Sequence, residues 1–181
     1  MGVAAQVFAA GDESLGPDGG PKASRRRHLG AVGDDDSRRP GEQSPCVLLV
    51  EDDPSMRLLC QVNLESEGFR VVVAAAGREA LSLAASEQPD VVLLDVMLPD
   101  LGGFEIAAQL RHLPVVFLSA RTSELDLERG RRAGALDYVT KPFDPIALPA
   151  RLREDLDEFH RSGSAEHVWQ MRFGPPGGYS R

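Results

Sequence analysis

Apolar residues come along this chain in short unbroken runs, each ended by side chains able to do chemistry. Val47-Leu48-Leu49-Val50, Val91-Val92-Leu93-Leu94 and Val115-Val116-Phe117-Leu118 each hold four apolar residues without alternation. That pattern belongs to strands buried on both faces of a parallel sheet. Phe69 to Ala74 and Asp137-Tyr138-Val139 add two more strands. Between these runs the apolar spacing lengthens to the three or four residues of a helix. Asp53 supplies a capping carboxylate and Pro54 a first helical residue, after which Leu58, Leu59 and Val62 form a stripe expected to cover a sheet face. A second helix is predicted from Gly77 or Arg78 through Ser86, with Ala80, Leu81 and Ala84 inward, and a third from Gly103 to about His112, carrying Phe104, Ala107, Ala108 and Leu110. A fourth runs from about Ser123 to Ala133 and ends at Gly134. The fifth starts near Pro145, with Ile146, Leu148, Leu152 and Leu156 as its apolar face and a first turn tightened or bent by Pro149. Five strands alternating with five helices predict an α/β fold, a five-stranded parallel sheet with helices on both faces.

Composition adds the boundaries. The chain has 181 residues, enough for one ordinary domain and extensions. Residues 1–44 contain Gly- and Pro-rich stretches, Arg25-Arg26-Arg27 and Asp34-Asp35-Asp36, and too few large apolar side chains to offset the cost of ordering a backbone; they are expected to form a disordered tail. The folded domain is predicted over 45–158 and a flexible carboxy-terminal tail over 159–181, with Trp169 an incidental surface contact. A net charge of -8 disfavours nonspecific nucleic-acid binding. Cys46 and Cys60 are expected to be buried, reduced thiols. No apolar stretch approaches a membrane span, the amino terminus lacks a secretory signal, and Gln6 stands where a myristoylation signal needs Ser or Thr. A cytoplasmic protein without membrane attachment is expected.

The chemistry lies where the strands end. Glu51-Asp52-Asp53 follow the first run, Asp95 the third, Ser119 the fourth and Lys141 the fifth. In an open α/β sheet, ligands bind at the carboxyl ends of the strands. Clustered carboxylates need a cation or a raised proton affinity, and an all-oxygen ligand set suits Mg²⁺, which keeps several waters and binds phosphate oxygens. With a metal and Lys141 nearby, Asp95 can act as a nucleophile on phosphorus, and Ser119 can donate to an oxygen of the transferring group.

These residues resemble the receiver domain of bacterial two-component response regulators. Leu49-Val50-Glu51-Asp52-Asp53 matches the family's acidic pair on Glu51 and Asp52, and Leu94-Asp95-Val96-Met97-Leu98-Pro99 matches the phosphoacceptor motif on Asp95. Leu118-Ser119-Ala120 supplies the switch hydroxyl, and Tyr138 falls on the switch aromatic. Lys141-Pro142-Phe143 matches the family's lysine, whose bond to the following proline is cis. The resemblance spans about residues 45–158 and implies a flavodoxin-like strand order 2-1-3-4-5. It implies Mg²⁺ held by Glu51, Asp52, Asp95 and the Met97 backbone carbonyl, and a phosphoryl group accepted on Asp95 with help from Lys141 and Ser119. It further implies that Met97 and Arg121 tune dephosphorylation. One departure is the connection Leu110-Arg111-His112-Leu113-Pro114, shorter than the family's, so the third helix or its exit should be truncated.

The expected function is a phosphorelay response regulator that takes its phosphoryl group from a histidine kinase or histidine phosphotransfer protein and signals to an output protein through a conformational switch. Such a protein is not an enzyme in the ordinary sense, since it catalyses its own phosphorylation and dephosphorylation. A phosphorylation-dependent dimer fits the same scheme, and DNA binding does not, because no helix-turn-helix follows the last helix. An unphosphorylated scaffold of the same fold is the alternative. A haloacid-dehalogenase-type phosphatase needs a second Asp where Met97 stands, and a nucleotide-binding domain needs a Gly-rich loop after the first strand.

Overall fold

The computed structural model describes residues 44–175. The expectation for the amino-terminal tail, from 1 to 43, lies outside the described residues, as does the stretch 176–181.

Five parallel strands, β1 (Cys46–Val50), β2 (Arg70–Ala74), β3 (Val91–Asp95), β4 (Val115–Ser119) and β5 (Asp137–Thr140), form one sheet in the order β2-β1-β3-β4-β5. The helices are α1 (Pro54–Ser66), α2 (Gly77–Glu87), α3 (Gly103–Gln109), α4 (Glu124–Arg132), α5 (Leu148–Ser162) and α6 (Ala165–Phe173). Every residue of β1, β3 and β4 is buried, as their unalternating apolar runs require. The pleat sends successive side chains to opposite layers. Leu48, Val50, Val92, Leu94 and Phe117 pack under α2 and α3, while Val47, Leu49, Val91, Leu93, Val116 and Leu118 pack under α1 and α5. Cys46 and Cys60 are buried free thiols, and burial pushes Cys60 up to about 11.

Several local expectations are corrected. On α1 the inward side chains are Cys60 and Leu64, with Met56 beside them, whereas Leu58, Leu59 and Val62 are 61%, 45% and 54% exposed. Two apolar stripes coexist on that helix, and the spacing i, i+4, i+8 of Met56, Cys60 and Leu64 is the one that meets the sheet. On α3 the helix stops at Gln109, before the expected His112, and Ala108 is exposed while Ile106 and Ala107 are buried. Only residues 110–114 separate the end of α3 from β4. α5 begins at Leu148 rather than near Pro145, and Ile146 is 74% exposed. The reason is Pro149, which has no N–H to give the carbonyl four residues back and so has to sit in a first turn, where that donor would be unpaired anyway.

The largest correction concerns the carboxy-terminal segment. Instead of a tail from 159 onward, α5 continues through Ser162, Gly163 ends it, and Ser164 caps α6 by accepting from the His167 N–H. Val168 and Trp169 are fully buried, so Trp169 is a core residue and not an incidental contact.

Candidate functional site

Parallel pairing sets the tips of four strands side by side: Val50 is level with Leu94, Asp95 with Leu118, and Ser119 with Thr140. Glu51, Asp95, Ser119 and Lys141 therefore share one edge of the sheet, with Asp52 next to Glu51. Glu51, Asp52 and Asp95 can bring one oxygen each within 4.8 Å of one another. The Lys141 ammonium donates to Asp95 Oδ2 at 2.6 Å and to Glu51 Oε2 at 2.6 Å. Asp95 Oδ1 accepts from the Met97 N–H at 2.8 Å, so both oxygens of this buried carboxylate are held. Ser119 is buried; its Oγ accepts from the Arg121 N–H at 3.0 Å, and its carbonyl accepts from the Lys141 N–H at 2.7 Å. The Lys141–Pro142 bond is cis, as the resemblance implies.

Electrostatics here are unbalanced. One ammonium faces three carboxylates. Burial, opposed by the hydrogen bond and charge of Lys141, leaves the Glu51 carboxyl above its ordinary value. Burial by itself would lower Lys141, but its hydrogen bonds to Asp95 and Glu51 outweigh that and hold the ammonium charged. The surplus negative charge and the all-oxygen donor set fit a hard divalent cation.

Tyr138 sits behind Ser119, 2% exposed, with its ring 5.9 Å from that of Phe117. Burial raises its phenol, and the hydroxyl lies near Ser119 without a well-formed hydrogen bond. Met97 is exposed at the site's mouth, and the Arg121 guanidinium pairs with Asp126 at 3.5 Å. Of the predicted site residues, the fold thus gathers Glu51, Asp52, Asp95 and Lys141, puts Ser119 and Tyr138 in line behind them, and leaves Met97 and Arg121 at the rim.

The fold adds supporting residues that no sequence motif singles out. Arg57 Nη1 donates to the Glu51 carbonyl at 2.7 Å and the Asp52 carbonyl at 3.2 Å, pinning the acidic turn. Asp100 accepts from the Gly77 and Arg78 N–H groups at 2.7 and 3.0 Å, tying the loop after Asp95 to the start of α2. Gly103 permits the close return of that loop, since a Cβ there would lie 2.5 Å from the Asp95 carbonyl oxygen. Only Gly102-Gly103, following Pro99-Asp100, hints at this in the sequence.

A model of the response regulator receiver domain matches residues 47–153. The chain belongs to this family. It is 44% identical over 114 residues to the alkaline phosphatase synthesis transcriptional regulatory protein PhoP of Bacillus subtilis, covering 61% of this chain and 48% of that protein. To the transcriptional regulatory protein CseB of Streptomyces coelicolor it is 43% identical over 125 residues, covering 67% of this chain and 53% of that protein. The chain spans about half the length of the curated relatives it matches. Among solved structures, a CheY-like receiver domain protein from Methanospirillum hungatei superposes with a TM-score of 0.63 at 30% identity, over 67% of this chain and 100% of that one. The beryllofluoride-activated receiver domain of Klebsiella pneumoniae RstA gives 0.58 at 37% identity, over 61% of this chain and 97% of that one. In this receiver, Glu51, Asp52 and Asp95 make up the acidic cluster typical of Mg²⁺-binding receiver domains, whose signalling rests on aspartate phosphorylation.

Proposed function

We propose that Asp95 accepts a phosphoryl group from a phosphohistidine, on a histidine kinase or histidine phosphotransfer protein in the cytoplasm, and that the change is passed to a protein partner. The observation that carries this is the Lys141 ammonium held 2.6 Å from Asp95 and 2.6 Å from Glu51 beside an acidic cluster. An Asp95 oxygen attacks phosphorus, the phosphorus–nitrogen bond breaks, and the imidazole leaves with the electron pair. Glu51, Asp52, Asp95 and the Met97 carbonyl are the residues that would hold Mg²⁺. Bound there, Mg²⁺ supplies charge neutralisation to the transferring phosphoryl oxygens. Lys141 adds a second positive charge on the protein side, and Ser119, released from the Arg121 N–H, donates to a phosphoryl oxygen. That rotation leaves room which the buried Tyr138 ring fills.

The surface of α4, β5 and α5 is the proposed output face, and α6 is built into it. The transcriptional roles named for PhoP and CseB belong to proteins about twice as long, and a net charge of -8 disfavours direct promoter contact by this chain.

Incubation of the full chain with acetyl phosphate and Mg²⁺ should add one phosphoryl group, and none to Asp95→Ala, to Asp52→Asn or in the presence of a chelator. Phosphate on Asp52 or Asp53 of the wild type, or equal labelling with the chelator present, would overturn the assignment.

A further inference from the structure

β5 is an edge strand, and an edge presents unpaired backbone groups unless something covers it. α6 covers it. Its two buried side chains enter opposite core layers: Val168 joins Leu152 and Leu156 on the α5 side, and Trp169 joins Phe117 and Tyr138 on the other. The Trp169 and Tyr138 rings meet under α4 at Gly130. A Cβ on residue 130 would stand 3.1 Å from Trp169 Cη2 and 3.1 Å from Tyr138 Cδ2, so the missing side chain is what lets both rings lie there. Polar ties hold α6 from both sides, with Arg131 Nη1 on Glu166 at 3.2 Å and Arg172 on Asp155 at 2.8 Å. A continuous path of packed groups therefore runs from Asp95 and Ser119 on adjacent strands, through Tyr138, to α6.

Resting on the receiver reading above, we propose that Trp169 is a positioning residue of the switch. Docked α6 closes the outer side of the space occupied by Tyr138 and keeps the ring buried, which favours the arrangement with Ser119 turned toward Asp95. Docking of α6 and phosphoryl occupancy at Asp95 then reinforce each other, and linkage requires the same factor in both directions. The segment after α5 is in this view an internal effector of the phosphorylation site rather than a tether.

The coupling is measured on the full chain with beryllofluoride at fixed Mg²⁺ by titration calorimetry. Trp169→Ala should weaken beryllofluoride binding by about fivefold or more, and Trp169→Phe, which restores a ring, should recover most of the affinity. In the wild type, beryllofluoride should slow amide hydrogen exchange across α6 more than across α2, which touches neither Ser119 nor Tyr138 in this path. A purely structural Trp169 would lower the unfolding temperature in Trp169→Ala with beryllofluoride affinity unchanged, and that result overturns the inference. So does exchange across α6 that is unchanged or faster with beryllofluoride, a measurement that decides the matter even where Trp169→Ala does not fold. No beryllofluoride binding to the wild type at all would overturn the proposed phosphoacceptor role of Asp95, whereas wild-type binding that ignores Trp169 overturns only the coupling.

Discussion

At Asp155, a carboxyl group is buried between β5 and α6. Its Oδ1 accepts from Arg172 Nε at 2.8 Å, and Asp137, also buried, is held by Arg151 at 2.5 and 2.9 Å. As an ionised acceptor, Asp155 Oδ2 has no partner; carrying a proton, it could donate toward Asp137. Burial, aided by the Asp137 charge and opposed by Arg172, pushes Asp155 from 3.8 up to about 7. The folded protein thus keeps a proton that the unfolded chain gives up, so the stabilisation is full below about pH 4 and is lost as pH rises through about 7. Urea midpoints measured at about pH 5 and about pH 8 should fall with pH more steeply in the wild type than in Asp155→Asn. Parallel behaviour of the two proteins would refute the assignment. Met97 is exposed beside the acidic cluster. Its apolar side chain at the mouth of the site cannot orient an attacking water, whereas a carboxamide can. Met97→Asn should lose phosphate from Asp95 faster than the wild type in a decay assay, and an equal or slower rate would remove Met97 from the tuning role.

At the scale of elements, α1 carries the sharpest contrast between two apolar stripes. Leu64 is fully buried against the sheet and Leu58 is mostly exposed. Leu64→Ala should cost about 2–5 kcal/mol, because it removes buried methyl groups and leaves a cavity. Leu58→Ala should stay within about 0.5 kcal/mol. Chemical denaturation of the two variants checks this, and comparable losses would mean that both stripes are packed in solution. α6 illustrates the opposite case. Nothing in its own sequence announces a core helix, and its place depends on the gap at Gly130 and on the open edge of β5.

At the scale of the molecule, the sheet edge that carries the site holds uncompensated negative charge. Three carboxylates share one ammonium there, so a divalent cation, and with it an anionic phosphoryl mimic, would find on the folded state a site that the unfolded chain lacks. Mg²⁺ with beryllofluoride at about a hundred times its dissociation constant should raise the unfolding temperature by about 5–10 °C. Removing Mg²⁺ with a chelator should reverse the shift, and Asp52→Asn should shrink it. A thermal melt insensitive to all three would deny the cluster its metal.

The sheet and the contents of the site are legible in the amino-acid sequence. Strands such as Val91–Leu94 are so apolar that only burial on both faces satisfies them, and a parallel sheet then has to present Glu51, Asp95, Ser119 and Lys141 at one edge. Periodicity alone was ambiguous where a helix carried more apolar residues than one face needs, as on α1, and only docking against the sheet chose Met56, Cys60 and Leu64 over Leu58, Leu59 and Val62. Trp169 was illegible for a different reason. Its partners, Gly130 and Tyr138, lie far away along the chain, and the cleft that receives it exists only once α4 and β5 have packed. The same holds for Asp155 and Arg172, whose pairing across α5 and α6 is a product of long-range contact that no local pattern encodes.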